Sequence, residues 1–326
     1  MNPLPVLCVV IPCYNEEKVL PITAPMFVSE LNKMIEDGRV DGKSSILFVN
    51  DGSGDNTWQI IQELSKEYES IRGLSLSRNR GQQNALLAGL MEAKAFCDIT
   101  ITTDCDGQNE LAAMGRMVDA YKEGYEIVYG VRKDRKNDPF FKRFFSEWFY
   151  RIVRFLGAEI IKNHADYRLV SSKVLDEFED FREVNIFLRG MFPLVGFEST
   201  IVEYSMDKRL AGETHYSPTK MMGFALDGIT SFTIRPVRAF TVLGFIVSLI
   251  SLIGIIWTII DYFCGNTVSG YASIVCILCF MAGFQLVGIG VIGEYVGKIY
   301  MEIKHRPRYI IADRTDNLNE SKAKID

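Results

Sequence analysis

Five short apolar or β-branched runs alternate with helix-length segments across the first 130 residues, and this alternation limits the possible folds more than any other feature. The runs lie at residues 6–11, 45–49, 71–76, 99–103 and 126–130. Between them the pattern predicts helices at about 25–37, 57–68, 82–95 and 110–122. Strand and helix repeat at a spacing of roughly 25 residues, the signature of a parallel sheet with right-handed crossovers and helices on both faces. Residues 6–11 are apolar without a break, as a strand buried on both faces requires. Pro21 and Pro25 interrupt the start of the first helical segment, so a regular helix is expected only from Pro25 onward. No Gly-x-Gly-x-x-Gly follows the first strand, which removes the main support for a dinucleotide oxidoreductase.

The run at 99–103 leads into Asp104-Cys105-Asp106-Gly107-Gln108. Residues two apart on an extended chain point the same way. A strand ending here therefore presents Asp104, Asp106 and Gln108 together at its carboxyl edge, where open α/β sheets bind ligands. Three oxygen donors in that pattern suit a hard cation, Mg²⁺ or Mn²⁺. A solvated acidic turn is the competing reading.

The chain has 326 residues, a formal net charge of −5 and 48% hydrophobic residues. The negative balance argues against a general nucleic-acid binder. The seven cysteines form no disulfide or zinc framework, and Cys276 and Cys279 lie in an uncharged apolar run without a second pair. Residues 6–11 are too short for a signal peptide and lack a basic flank, so the N-terminal part is expected in the reducing cytosol.

The second half is more aromatic and more apolar. Residues 139–156 interleave Phe140, Phe144, Trp148 and Phe155 with Lys142, Arg143, Arg151 and Arg154. Such a helix lies at an interface, closes over a site or simply faces a core. Asp166-Tyr167-Arg168-Leu169 and residues 208–217 gather further polar groups that serve a site or form salt-bridged loops. Residues 239–260 and 271–293 contain no charge. At 1.5 Å per residue the first would span about 33 Å, enough for a bilayer core. Basic residues flank both outer ends and none lies in the intervening turn. The expectation is a transmembrane hairpin in the cell membrane, with the catalytic domain and both termini cytosolic. Gly293 and Gly297 have a spacing that favours close helix approach and so self-association into a homo-oligomer. The expected organisation is a catalytic domain at 1–220, an interfacial segment at 221–238, membrane helices at about 239–261 and 271–296, and a cytosolic tail at 301–326 that is polar, charged and disordered after Arg314.

Taken together, the motifs resemble glycosyltransferase family 2. The residues that carry the resemblance are Val9 to Glu17, Val49-Asn50-Asp51-Gly52-Ser53 with Thr57, Ser77-Arg78-Asn79, and Asp104-x-Asp106-x-Gln108. Gly130-x-Arg132, Asp166 to Leu169, Arg209 to Tyr216 and the two C-terminal apolar runs are similar to the polyprenyl-phosphate sugar transferases of that family. Gly107, Asn109 and Glu110 depart from the usual residues after the first aspartates, and Asn50 stands where many relatives have aspartate.

The resemblance implies a GT-A-type nucleotide-sugar-binding domain, a nucleotide-sugar donor, UDP-glucose favoured, and a polyprenyl phosphate acceptor drawn from the bilayer. It implies metal ligation by Asp104, Asp106 and Gln108. Pro12, Tyr14, Glu16, Asp51, Asp104 and Arg132 would contact the donor. Arg143, Ser146, Arg209 and Lys220 would face the acceptor phosphate, and Asp106, Asp166 and Arg209 would serve catalysis. Guanidinium forks match phosphate oxygens, so Arg132 and Arg209 suit either phosphate. Asp166 is read as a base, a positioner or an ion-pair partner of Arg168. A processive polysaccharide synthase is disfavoured by the absence of Gln-x-x-Arg-Trp. The alternatives are the same reaction with UDP-N-acetylglucosamine or GDP-mannose and a glycolipid synthase acting on a lipid hydroxyl; a non-catalytic nucleotide-sugar binder is disfavoured by Asp104, Asp106, Gln108 and both arginines together.

Overall fold

In the computed structural model, the described residues are 3–133, 164–206 apart from 182, 184 and 185, scattered positions between 237 and 260, and 270–323. The chain divides into two compact units. One comprises Met1–Tyr150, Glu159–Ser217 and Pro307–Asp326; the other comprises Arg151–Ala158 and Pro218–Arg306.

The first unit is built on one eight-stranded sheet. Its strands are β1 (Leu7–Cys13), β2 (Ser45–Asn50), β3 (Ile71–Leu76), β4 (Ile99–Thr102), β5 (Ile127–Arg132), β6 (His164–Ser171), β7 (Ser199–Tyr204) and β8 (Ile311–Arg314), in the order β7-β5-β6-β4-β1-β2-β3-β8. β1 pairs in parallel with β2 and β4, and β2 with β3. β6 runs antiparallel between β4 and β5, and β8 antiparallel beside β3. The helices are α1 (Leu20–Glu36), α2 (Thr57–Glu67), α3 (Gln82–Ala93), α4 (Ala113–Lys122), α5 (Ser172–Phe178), α6 (Leu188–Met191) and, after a long helix of the second unit, α8 (Asp316–Ala323). The central strands are apolar because both their faces are covered: Leu7, Cys8, Val9, Val10 and Ile11 are all at or below 1% exposure. The α3 helix lies against β1 and β2 at Gly89, where an added Cβ would come within 2.4 Å of Val10.

The first helix begins five residues earlier than the proline pattern predicts. Pro21 falls in the first turn, where the missing N–H has no helical partner, and Pro25 forgoes a single ladder bond. Residues 311–323 are not a structureless tail. Asp313 accepts from Trp58 Nε1 at 3.3 Å, Thr315 Oγ1 accepts from the Gly73 N–H at 2.9 Å, and Leu318 is fully buried. Arg314 forms an ion pair with the buried Glu92 at 2.8 Å.

The second unit contains α7 (Tyr271–Ile303), which carries exposed Ile277, Phe280, Leu286 and Ile289. Among the described residues no helix is long and apolar enough to cross a membrane. This corrects the expected multi-pass membrane localisation, and the expected transmembrane hairpin is not borne out. Glu294, Lys298 and Glu302 charge the last third of α7. The run at 239–260 is described only in fragments.

Candidate active site

The carboxyl ends of β1, β2 and β4 lie on one edge of the sheet, and three loops leave from it. The loops after β1 and β2 interlock. Asn15, in the left-handed region at φ 55°, donates its N–H to Ser53 Oγ at 3.0 Å, and its side-chain oxygen accepts the Gly54 N–H at 2.9 Å. The Glu16 N–H donates to Thr57 Oγ1 at 2.9 Å. Gly52 has φ 61°, and an added Cβ would stand 2.4 Å from the Arg78 carbonyl carbon. Only glycine fits there, for both reasons.

Asp51 is 3% exposed. Its two carboxylate oxygens accept the N–H groups of Arg80 and Gly81 at 2.7 and 2.9 Å. Burial pushes its pKa up, and those two hydrogen bonds oppose the rise. The residue thus fixes the start of α3 to the β2 edge. Asn50, where many relatives have aspartate, donates to Ser75 Oγ at 2.9 Å. Tyr14 is 45% exposed on the rim and Pro12 is partly buried.

The β4 edge carries the acidic turn. Gly107 has φ 67°, and the Gln108 N–H donates to Asp106 Oδ1 at 3.2 Å. Asp104 accepts from Gln82 Nε2 at 2.7 Å. Burial, reinforced by the charges of Asp166 and Asp106, lifts its pKa to about 7; Arg189 and Gln82 oppose that rise. Among the described residues no group of three or more His, Cys, Asp or Glu side chains is set to hold a metal ion. The candidate set is instead two carboxylates and a carboxamide.

Strand β6 adds the third carboxylate. Thr102 pairs with Arg168, and the Thr102 hydroxyl donates to the Asp166 carbonyl. Asp166 is bound on one oxygen by Arg168 Nη2 at 2.5 Å and Arg189 Nε at 3.1 Å. Its other oxygen is bound by Arg189 Nη2 at 2.8 Å and Gln83 Nε2 at 3.1 Å. Burial raises its pKa, but Arg189 and Arg168 outweigh burial and hold it at about 2. Arg132 ends β5 opposite Tyr204 of β7. Among the described residues neither its Nε nor the Tyr204 hydroxyl has a hydrogen-bond partner, although both atoms are buried.

Asp104, Asp106, Gln108 and Asp166 therefore meet at one edge, with Asp51 buttressing the adjoining loop. Arg143, Ser146, Arg209 and Lys220 lie outside the described residues, as do the aromatic segment at 139–156 and the segment at 221–234. Sequence reasoning missed Gln82, Gln83 and Arg189. The two glutamines had a positional signal, since they open the helix that follows a strand of the same edge. Arg189 had none.

An α/β sheet carrying a half-buried Asp-x-Asp turn at its carboxyl edge defines a class. A family model for "Glycosyl transferase family 2" matches residues 8–178. The chain belongs to glycosyltransferase family 2 and is a glycosyltransferase. It is 45% identical over 307 residues to the uncharacterized glycosyltransferase YkoT of Bacillus subtilis (strain 168), covering 94% of this chain and 91% of that protein. It is 37% identical over 307 residues to the bactoprenol glucosyl transferase of Shigella phage SfV, covering 94% and 97%. The prophage bactoprenol glucosyl transferase homolog of Escherichia coli (strain K12) is 36% identical, covering 94% and 98%. Among solved structures, glucosyl-3-phosphoglycerate synthase from Mycobacterium tuberculosis in complex with phosphoglyceric acid matches at 17% identity, 70% and 79% coverage and a TM-score of 0.43.

Proposed function

We propose that this enzyme moves a hexose from a nucleotide-sugar, UDP-glucose favoured, to a polyprenyl phosphate, with inversion at the anomeric carbon. The observation that carries this reading is the placement of Asp104 within the electrostatic reach of Asp106 and Asp166 at the carboxyl edge of β4. Burial and the neighbouring carboxylates there disfavour an ionised Asp104 unless further positive charge is supplied. The donor set fits a divalent cation: Asp104 and Asp106, with Gln108 beside them, would hold Mg²⁺ or Mn²⁺. Such an ion, when bound, neutralises charge developing on a nucleoside diphosphate leaving group.

The chain's own residues supply the rest. The interlocked loops fixed by Asp51 form the wall toward the nucleoside. Arg132 offers a guanidinium to the donor pyrophosphate. A phosphate monoester acceptor is already anionic near neutral pH, since its second pKa is about 6. Its oxygen attacks without a strong general base, and a single in-line displacement inverts the centre. Two relatives of more than 90% coverage carry names that specify a bactoprenol glucosyl transferase or its homolog, which supports the choice of lipid and sugar.

The test is a donor panel. Purified protein in detergent receives undecaprenyl phosphate, Mg²⁺ or Mn²⁺, and in turn UDP-glucose, UDP-N-acetylglucosamine, UDP-galactose and GDP-mannose, with Asp106→Asn as control. The expected result is a lipid-phosphate-hexose adduct from UDP-glucose that needs the metal and is lost in the variant. A glycosyl-enzyme intermediate, a product of retained configuration, or no lipid adduct from any donor would overturn the reading.

A further inference from the structure

A carboxylate offers about four lone-pair sites for hydrogen bonds. Asp166 has all of them in use: two from Arg189, one from Arg168 and one from Gln83. Its side chain is 3% exposed. A group in this state has no lone pair left to take a proton from a substrate. Its function must be sought in what it holds.

It holds two guanidiniums with one carboxylate, and Arg189 also acts on the neighbouring Asp104. Arg168 is only 1% exposed and lies over the Phe192 ring, 5.1 Å from the centroid. It cannot meet a ligand. Arg189 is different: 37% of its side chain is open. Its orientation is set twice over. Asp166 grips it bidentately, and the Gln83 side-chain oxygen accepts the N–H of Leu188, the residue that opens its helix. Gln83 thus ties the carboxylate and the arginine's backbone to the same turn of α3. Gln82, its neighbour, holds Asp104. The exposed part of Arg189 is therefore registered against the acidic turn through one pair of consecutive glutamines. A preorganised fork of this kind is suited to phosphate oxygens.

We propose that Arg189 is a phosphate-binding residue of the active site and that Asp166 is its positioning residue, not a general base. The proposal rests on the transferase reading above. The phosphate comes from either the donor diphosphate or the acceptor monoester, and the experiment separates them.

Calorimetric titrations in Mg²⁺ compare UDP with uridine and farnesyl phosphate with farnesol, for the wild type, Arg189→Gln, Asp166→Asn and the double variant. Arg189→Gln is expected to weaken UDP or farnesyl phosphate by about tenfold or more, equivalent to about 1.4 kcal/mol, and to leave uridine and farnesol unchanged. The weakened member of the pair names the source. Asp166→Asn is expected to weaken the same ligand, and the double variant to lose no more than Arg189→Gln alone. Arg189→Lys keeps the charge without the fork and is expected to fall between; it also serves if the glutamine variant does not fold.

Unchanged phosphate binding in both Arg189 variants would overturn the proposal. So would an Asp166→Asn enzyme with normal ligand affinities and a collapsed kcat, the behaviour of a lost base. A wild-type protein that binds neither phosphate ligand would instead overturn the transferase reading and the proposal with it.

Discussion

One carboxylate oxygen of Glu110 accepts both the N–H and the hydroxyl of Ser205, each at 2.9 Å. The other takes Arg116 at 2.8 Å, and the Glu110 carbonyl accepts the Tyr167 hydroxyl at 3.0 Å. The residue that leaves the acidic turn is thereby fastened to the end of β7.

The Arg116 hydrogen bond and those from Ser205 hold the Glu110 pKa at about 2, below its ordinary 4.5. A depressed carboxylate stabilises the fold above its unfolded pKa, and that contribution fades as pH falls from about 4.5 to about 2. Glu110→Gln is expected to lose about 1–2 kcal/mol near neutral pH. Urea unfolding across this range should show the gap between variant and wild type closing on acidification. A gap independent of pH would refute the assignment.

Glu92 is 4% exposed and answers to Arg314 across 222 positions of sequence. Removing Arg314 takes a charged hydrogen-bond partner from a buried carboxylate, so Arg314→Ala should cost about 1.5–3 kcal/mol. Replacing both partners with Leu should cost less than the single change. Chemical denaturation of the three variants, with limited proteolysis of residues 311–323, checks both statements.

Packing at Gly89 leaves no room for a methyl group, with Val10 at 2.4 Å and Val49 at 2.7 Å from an added Cβ. Gly89→Ala should destabilise by about 1–3 kcal/mol. Gly42 has nothing within 4 Å and no positive φ, so Gly42→Ala should show no loss. Thermal unfolding of the pair measures the difference.

Asp51→Asn leaves one oxygen to serve the partly buried N–H groups of Arg80 and Gly81. We expect a loss of about 1–3 kcal/mol and weaker UDP binding, because the loop joining Arg80 and Gly81 to the β2 edge loosens. A variant with wild-type Tm and wild-type UDP affinity would remove Asp51 from the architecture of the site.

The parallel core was legible because its strands are apolar on both faces. β1 through β5 appear close to their expected positions, and the Asp104-x-Asp106 turn stands at the carboxyl edge that strand periodicity implies. β6 was not legible. Asp166, Tyr167 and Arg168 read as a polar stretch, and only the pairing of Thr102 with Arg168 turns them into a buried strand. Arg168 is inside because Asp166 and the Phe192 ring receive it, a partnership across 24 residues that no local pattern encodes. β8 was hidden for the same reason: Ile311–Arg314 is a strand only because β3 offers an edge.

That last pairing sets a timetable. β3 ends at Leu76, and its antiparallel neighbour begins at Ile311. At a synthesis rate of about 5–20 residues per second, the interval between the two is on the order of ten to fifty seconds. For that time the nascent sheet carries an unpaired edge strand, the kind of surface on which chains join one another. Forming β8 and covering the edge of β3 against self-assembly are thus the same late event.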